Sequence, residues 1–436
     1  MDRELNAMTR RCPTRTLLAA VTGLLIISTS PLTADDWPQY RGANHDGVSK
    51  EKILMQWPAD GLRQLWRIPL NTGFSSFAVA QNKAFTLVQR SIQGADQEVC
   101  IALDADTGKE LWAIPLGQAK YDGGGDSGAA DNRGGDGPRS TPTINGNRLY
   151  VLSAYLSLFC LDAQTGELVW RKDVSKEYGG KVIAWQNAAS PLIDGDLIFL
   201  NGNAPGQSLM AFQKQDGRLA WKGQTDKMTQ ATPITATILG VRQIIFFTQT
   251  GLVSVASKDG AVLWRYAFPY KVSTAASPVV AGDIVYCSAG YDVGSGAVKI
   301  TKSGDQFTAT ELWRVPGNKI SSHWSTPVYF DGHLYGLFGF KEFGKCPLKC
   351  LEVATGKEVW SKDGFGPGGV LLVDGHILVL GDKGQLALVQ ASPKAYTEVA
   401  RAQPLTGKCW NSPALSNGRI YARGTKEGVC LDVAVK

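Results

Sequence analysis

The sequence predicts an all-β fold, an eight-bladed β-propeller of four-stranded antiparallel blades. Three observations carry this expectation. A short string ending in tryptophan returns along the chain, its spacing is that of one blade, and two separate strand counts both give eight. The string reads ADTGKELW ending at Trp112, AQTGELVW at Trp170, KQDGRLAW at Trp221, SKDGAVLW at Trp264 and VATGKEVW at Trp360. Trp66 and Trp313 keep the preceding leucine but lack the Thr-Gly pair. From Trp66 to Trp360 the spacings are 46, 58, 51, 43, 49 and 47 residues. A strand-rich unit on a period of about 40–50 residues cannot bury its faces alone and must stack with neighbouring copies, as in propellers and solenoids.

One copy, residues 140–174, displays the logic of a blade. Strands are expected at 140–144, 148–153, 158–163 and 168–172. Asn145-Gly146 closes the first and Gln164-Thr165-Gly166 the third. Glycine there supplies the positive φ that tight hairpins need. Innermost strands begin near Ser75, Thr141, Ser190, Thr232, Ser277, Thr326, Val370 and Ser412. In six of them a Ser/Thr-Pro pair opens the strand, where proline costs no ladder bond. Outermost strands carry Trp66, Trp112, Trp170, Trp221, Trp264, Trp313, Trp360 and a worn copy near Ala400. The first outer strand, residues 62–70, precedes any inner strand, and the last repeat, 411–435, has only three. The N-terminal strand is therefore expected to complete the C-terminal blade and so remove the open edges. The 49 glycines, the 19% of charged residues and the lack of a long 3.6-residue period fit one turn-rich domain over residues 62–436.

Residues 1–34 read as a cleaved signal peptide. Arg10, Arg11 and Arg15 precede an apolar run at 17–27 that is too short to span a bilayer, and a cut is expected after Ala34. Arg10-Arg11 leaves both the general and the twin-arginine export routes open. Residues 35–61 follow as a leader loop. The expected location is the periplasm or the cell exterior, with no transmembrane segment after cleavage. Removing four arginines, Asp2 and Glu4 from 45 basic and 39 acidic residues leaves 41 and 37, a net charge of +4. That mild excess, without basic runs, argues against nucleic acid. Seven of the eight cysteines remain. Cys160, Cys350 and Cys430 share a repeat position that holds Ala102 and Ala211 elsewhere, which reads as a small core residue. An odd set is no disulfide framework, although a Cys346–Cys350 pairing stays open. No metal-finger spacing joins these two to His333.

The repeat, with Ser/Thr-Pro at its start, Leu-Asp-Ala-x-Thr-Gly in its middle and Leu-x-Trp at its end, resembles the PQQ-like (pyrroloquinoline quinone) propeller repeat over about residues 36–436. The segment Asp36-Trp37-Pro38-Gln39-Tyr40-Arg41-Gly42, followed by Asp46-Gly47-Val48-Ser49, resembles the start of secreted bacterial members. The resemblance implies that the outer-strand tryptophans dock between neighbouring blades as fold residues. It implies no single function. Such folds include PQQ- and calcium-dependent alcohol or sugar dehydrogenases, and binding scaffolds such as the BamB-like component of the outer-membrane assembly machine.

A ligand would sit where the inner strands start, at the mouth of the central channel. The candidate binding residues there are Arg139, Asn187, Gln230, His323, Trp324, Trp410 and Asn411, with Phe74, Gln186, Thr229 and Thr274 beside them. This set offers one cation, several amides, two indoles and one imidazole, and no carboxylate. A quinone dehydrogenase needs calcium, carboxylate and amide ligands for it, a carboxylate base, and cations for the quinone's acid groups. The resemblance adds a disulfide between adjacent cysteines in many alcohol dehydrogenases, and no Cys-Cys pair occurs here. Asp122, Asp126, Asp131 and Asp136 fall in a glycine-rich loop at 121–138, read as a solvated insertion, with a calcium loop or lid as the alternative. His323 reads as a rim residue, His333 and His376 as surface turn residues, and His45 as part of the leader. The expected function is an exported, non-catalytic binding or scaffold propeller, BamB-like in architecture and monomeric, taking a protein or carbohydrate-like ligand at the channel face. No catalytic or metal-ligating residue is assigned. The alternative is a PQQ- and Ca2+-dependent alcohol or sugar dehydrogenase with an atypical site. A third reading is a worn propeller that holds a small ligand without turnover.

Overall fold

The computed structural model describes residues 36–121, 137–340 and 343–435. Eight antiparallel sheets follow one another along the chain: blade 1 at 78–118, blade 2 at 143–173, blade 3 at 192–223, blade 4 at 234–267, blade 5 at 279–315, blade 6 at 328–362, blade 7 at 369–402 and blade 8 at 414–432. Blade 8 has three strands of its own. Its fourth is Gln64–Pro69, antiparallel to Glu427–Asp432 with Trp66 opposite Cys430. The ring therefore closes by the N-terminal strand, as the two counts of eight required. Strand pattern follows radial position. Middle strands such as Leu197–Asn201 and His376–Leu380 are buried on both faces, whereas outer strands such as Leu219–Gly223 and Glu398–Ala402 alternate between half-buried and exposed. An outer strand packs one face on the next blade and turns the other to water.

The tryptophan repeat has a structural explanation with four parts. In every blade the pairing of the third and fourth strands shifts by one residue just before the repeat position, as at Leu168/Trp170 and Glu358/Trp360. Such a bulge adds local twist and re-aims the next side chain. The skipped residue is left outside, which is why Leu111, Val169, Leu312, Val359 and Val399 are exposed. Directly across the ladder sits a small residue: Cys160 faces Trp170, Cys350 faces Trp360 and Cys430 faces Trp66, while Ala102, Ala211 and Ala297 face Trp112, Trp221 and Trp313. The ring then covers the Thr/Asp-Gly turn of the following blade. A Cβ added at Gly166 would lie 2.8 Å from Trp112, and one at Gly217 would lie 2.7 Å from Trp170. Only glycine gives both that approach and the positive φ of the turn. The indole N–H donates to a carbonyl of the same turn, Ala105 for Trp66 (2.9 Å) and Val353 for Trp313 (2.9 Å). Trp264 is the exception. Blade 5 has no such turn, and the indole donates to Gln243 Oε1 of its own blade at 2.7 Å.

The described cysteines are all free and buried, so the Cys346–Cys350 pairing left open by the sequence is not made. Cys346 Sγ instead donates to the Phe340 carbonyl at 2.7 Å.

The inner strands are tied into a ring by side-chain hydroxyls. The N–H of Ser76 donates to Thr141 Oγ1 (3.0 Å), that of Thr141 to Ser190 Oγ (2.9 Å) and that of Ser190 to Thr232 Oγ1 (2.9 Å). Ser277 donates through its hydroxyl to the Thr232 carbonyl (2.9 Å) and through its N–H to Thr326 Oγ1 (3.0 Å). Ser325 Oγ donates to the Gly368 carbonyl, and the N–H of Ser412 donates back to Ser76 Oγ at 3.2 Å. These amides face the channel, where no strand ladder can satisfy them, so each borrows an acceptor from the next blade.

The leader loop does not lie outside the ring. Trp37 bridges Val79 of blade 1, and the Pro38 carbonyl accepts from Ile144 of blade 2. The chain then crosses the channel to blade 6. There the Arg41 guanidinium, only 2% exposed, donates to the carbonyls of Thr326 and Pro327 at 2.8 Å each, and to His45 and Asp46 of its own loop. Val48–Ser49 next adds a fifth, parallel strand to blade 7, and the Glu51 carboxylate accepts from the amides of Asn417 and Gly418 in blade 8. His45, expected only as a loop residue, is 6% exposed with both ring nitrogens unpartnered, and burial first, with nearby Arg242 next, lowers its pKa to about 3. The central channel is thus blocked by residues 37–49.

Deleting residues 35–70 removes both the plug and the closing strand. An aggregated or unfolded product is expected, and a monomer with parental melting would count against closure by this strand. Trp66→Ala empties a buried site on the seam between blades 8 and 1 and is expected to cost about 3–5 kcal/mol in chemical denaturation.

Candidate functional site

Just ahead of the hydroxyl ring, the segments that lead into the inner strands surround a cavity of about 430 Å3. Six of the seven sequence candidates line it: Arg139, Gln230, His323, Trp324, Trp410 and Asn411. Asn187 does not. Its side chain bonds the Ala189 N–H (3.0 Å) and the Ala189 carbonyl (2.9 Å), holding the bend that precedes Ser190. Thr229 and Thr274 likewise turn away from the cavity, onto the carbonyls of Phe247 and Ser288. His333 and His376 are half-buried, each with Nδ1 2.8 Å from a carbonyl of its own turn. Asp122, Asp126, Asp131 and Asp136 lie outside the described residues.

One wall is aromatic and continuous. Phe74 stacks on Trp410 (centroids 5.6 Å apart, 26°), and Trp410 contacts Trp324 at 4.7 Å. His323 meets Trp324 edge-on at 4.9 Å and Tyr291 at 5.3 Å. Trp324 is anchored by its N–H to the Pro367 carbonyl (2.9 Å), and the ammonium of the buried Lys408 sits 4.2 Å from the Trp410 ring. Such a wall is rigid and apolar at low entropic cost.

The facing wall carries Arg139, Gln230 and Trp185. Arg139 donates to the Trp185 carbonyl (3.1 Å) and lies 4.8 Å above the Tyr121 ring. Gln230 Nε2 donates to the Ala184 carbonyl at 2.9 Å. Trp185 and Tyr291 both adopt left-handed backbones, φ 62° and 60°, each followed by a second left-handed residue. Bulky residues avoid that region, and where they occupy it the strain tends to mark a functional site. Tyr40 of the leader completes the lining.

Sequence reasoning missed Tyr40, Trp185 and Tyr291. A signal existed for one of them. Five of the 12 tryptophans fall outside the outer-strand register, namely Trp37, Trp57, Trp185, Trp324 and Trp410, and three of these five line the cavity.

Behind Arg139 lies Glu98, 1% exposed. It accepts from the Tyr121 hydroxyl (2.8 Å) and the Ala154 N–H (2.9 Å). Burial dominates and raises its pKa to about 7, against those two bonds and the charge of Arg139. In the cavity itself several buried polar atoms lack a protein partner: Gln230 Oε1, both amide atoms of Asn411 and the Trp410 N–H. His323 Nε2 lies 3.2 Å from Ser273 Oγ. The described lining contains no carboxylate to orient that pair or to ligate calcium, and it supplies one guanidinium. No cluster of three or more metal-ligating side chains occurs among the described residues. This donor set does not fit a calcium–quinone pair.

The family model for "Outer membrane protein assembly factor BamB" matches residues 95–336, more than half of the chain. The chain belongs to this family of PQQ-like propellers. Among curated relatives, BamB of Moranella endobia is 26% identical over 289 residues, which is 65% of this chain and 57% of that protein. BamB of Shewanella oneidensis is 22% identical over 51% of this chain and 56% of its own length. The chain therefore spans less than two thirds of the curated relatives it matches. Among solved structures, BamB from Moraxella catarrhalis superposes with a TM-score of 0.58 at 15% identity, covering 86% of this chain and 98% of that one. The quinohemoprotein alcohol dehydrogenase of Comamonas testosteroni gives 0.63 at 13%, covering 92% and 81%. At such identities the superpositions establish a shared fold and nothing further. No helix among the described residues is long and apolar enough to cross a membrane.

Glu98 makes stability pH-dependent. Its pKa is about 7 folded against an ordinary 4.5. The folded state therefore binds more protons between these values, and the contribution is complete below about 4.5 and lost as pH rises through about 7. The parent is expected to lose about 3 kcal/mol across that window. In Glu98→Gln that slope should vanish, and melting curves taken between acid and neutral pH check it.

Proposed function

We propose that this protein is an exported, non-catalytic binding propeller, BamB-like in architecture, with the cavity at the channel mouth as its ligand site. The observation that carries the reading is the cavity's composition. A rigid aromatic wall stands beside amide atoms that have no protein partner, and no carboxylate stands among the described lining residues. Binding pockets commonly pair a mostly apolar wall with a few fixed polar groups. A volume of about 430 Å3 is within the range of roughly 300–1,000 Å3 usual for small ligands. Acid–base chemistry on an alcohol would ask instead for a base beside the hydroxyl and a cation to polarise the acceptor.

Export rests on the arginine-flanked apolar segment at 17–27. It agrees with relatives whose name places them in outer-membrane protein assembly. By the same likeness, the outer faces of the ring are the natural place for a protein partner, and the chain acts as a monomeric scaffold. The bulges leave apolar side chains such as Leu111, Val169 and Val359 exposed on those faces.

The decisive assay adds quinone and calcium to the purified protein and follows dye reduction with alcohols and aldose sugars. No turnover is expected, and calorimetry should register no calcium-dependent quinone binding. Saturable, calcium-dependent quinone binding with dye reduction would replace the binding reading by the dehydrogenase one.

A further inference from the structure

The cavity's ligand class can be read from what its walls leave unpaired. Asn411 is 6% exposed, yet neither its carbonyl oxygen nor its amide nitrogen has a partner in the protein. Gln230, also 6% exposed, spends its nitrogen on the Ala184 carbonyl and leaves its oxygen unpaired. The Trp410 N–H is unpaired as well, on a residue 8% exposed. A buried polar group without a partner costs about 1–3 kcal/mol, so four such atoms around one cavity call for partners from elsewhere. Asn411 opens blade 8 and Gln230 opens blade 4, so in a ring of eight the two stand on opposite sides of the mouth. A single ligand that meets both must carry donors and acceptors around its whole perimeter.

The remaining lining narrows the chemistry. Phe74, Trp410 and Trp324 form one apolar surface. The described lining has no carboxylate to pair with a cation, and the ammonium of Lys408 already sits 4.2 Å from the Trp410 ring. Arg139 is already bonded to the Trp185 carbonyl and stacked on Tyr121, which makes it part of the wall. A compact molecule with hydroxyls at its rim and a C–H face for the aromatic surface is a neutral pyranose. The leader adds a second constraint. Tyr40 lines the cavity, and residues 37–49 block the channel behind it, so nothing can thread through. A site backed by that segment receives the end of a chain.

We propose that the cavity binds the terminal residue of a neutral saccharide, with Asn411 and Gln230 gripping hydroxyls from opposite walls and Trp410 and Trp324 packing on the sugar ring. This rests on the reading of the cavity as a ligand site and names its occupant.

The test titrates the purified protein with maltose, cellobiose, xylobiose and diacetylchitobiose, read by calorimetry and by tryptophan fluorescence. At least one should bind saturably at millimolar or lower concentration and perturb the fluorescence. Asn411→Ala and Trp410→Ala should each weaken that binding about tenfold or more. Gln230→Glu, which keeps the length of the side chain, should weaken it too, and guards against a fold defect in the other two. Affinity per chain should stay level from disaccharide to hexasaccharide, and a cyclodextrin, which has no chain end, should not compete with maltose. The proposal is overturned if no saccharide binds, if binding is untouched in all three variants, or if the cyclodextrin binds as well as the open chain. A peptide library screened in parallel separates the two readings. Peptides that bind at the cavity while sugars do not would remove the saccharide and keep the binding site. Quinone bound there with calcium would remove both.

Discussion

Eight wedges form a ring only if the narrow ends are tied together, and here that tie is a set of side-chain hydroxyls. Five of the eight inner strands present a channel-facing amide that has no ladder partner. Ser76, Thr141, Ser190, Thr232 and Thr326 accept those amides across the blade boundaries at 2.9–3.2 Å. The ring of bonds sets the spacing of the inner strands, and the spacing sets the width of the cavity directly above. Blade 7 has glycine where the others have Ser or Thr. A Cβ at Gly369 would lie 2.5 Å from Ser412 Cα, so blades 7 and 8 touch backbone to backbone. Closeness there replaces a hydroxyl bond.

The outer ends are joined differently. A bulge turns the tryptophan, a small residue across the ladder leaves room beside it, and the glycine turn of the next blade receives it. Ring and rim together hold the mouth segments from both sides. That rigidity is what lets Trp185 and Tyr291 keep left-handed backbones, and what lets Asn411 remain buried with its amide unpaired. The leader completes the arrangement. Arg41 is buried with its guanidinium on carbonyls alone, and burial lowers its pKa. Such a group is worth its desolvation only if every donor is used, which ties the plug to one position in the channel.

Much of the candidate site was legible, because proline marks where six of the eight inner strands begin and the residues just before it must sit at the mouth. The prediction was weakest on side-chain direction. Asn187 was placed at the mouth but turns onto its own bend, while Trp185, two residues earlier, lines the cavity. Position along a strand start is a one-dimensional fact; which way a side chain faces depends on φ, and a left-handed tryptophan has no sequence mark. Glu98 was invisible for a related reason. It lies in the long hairpin of blade 1 and looks like a surface glutamate until Tyr121 and Ala154 close over it.

The sequence by itself determined the ring: the number of blades, their order, the closing strand and the tryptophan–glycine rhythm. These are repeat properties, and a repeat is readable because each copy confirms the others. It also determined that position 160 and its equivalents opposite a tryptophan must be small. Only the tertiary structure decided what lies inside the ring. Residues 37–51 carry no repeat, and their meaning comes from contacts with five separate blades more than 30 residues away in sequence. A plugged channel, a cavity at its mouth and unpaired amide atoms on opposite sides of it are all products of ring closure. Pairwise distances between residues from different blades exist only once the circle is complete, and no local pattern encodes them.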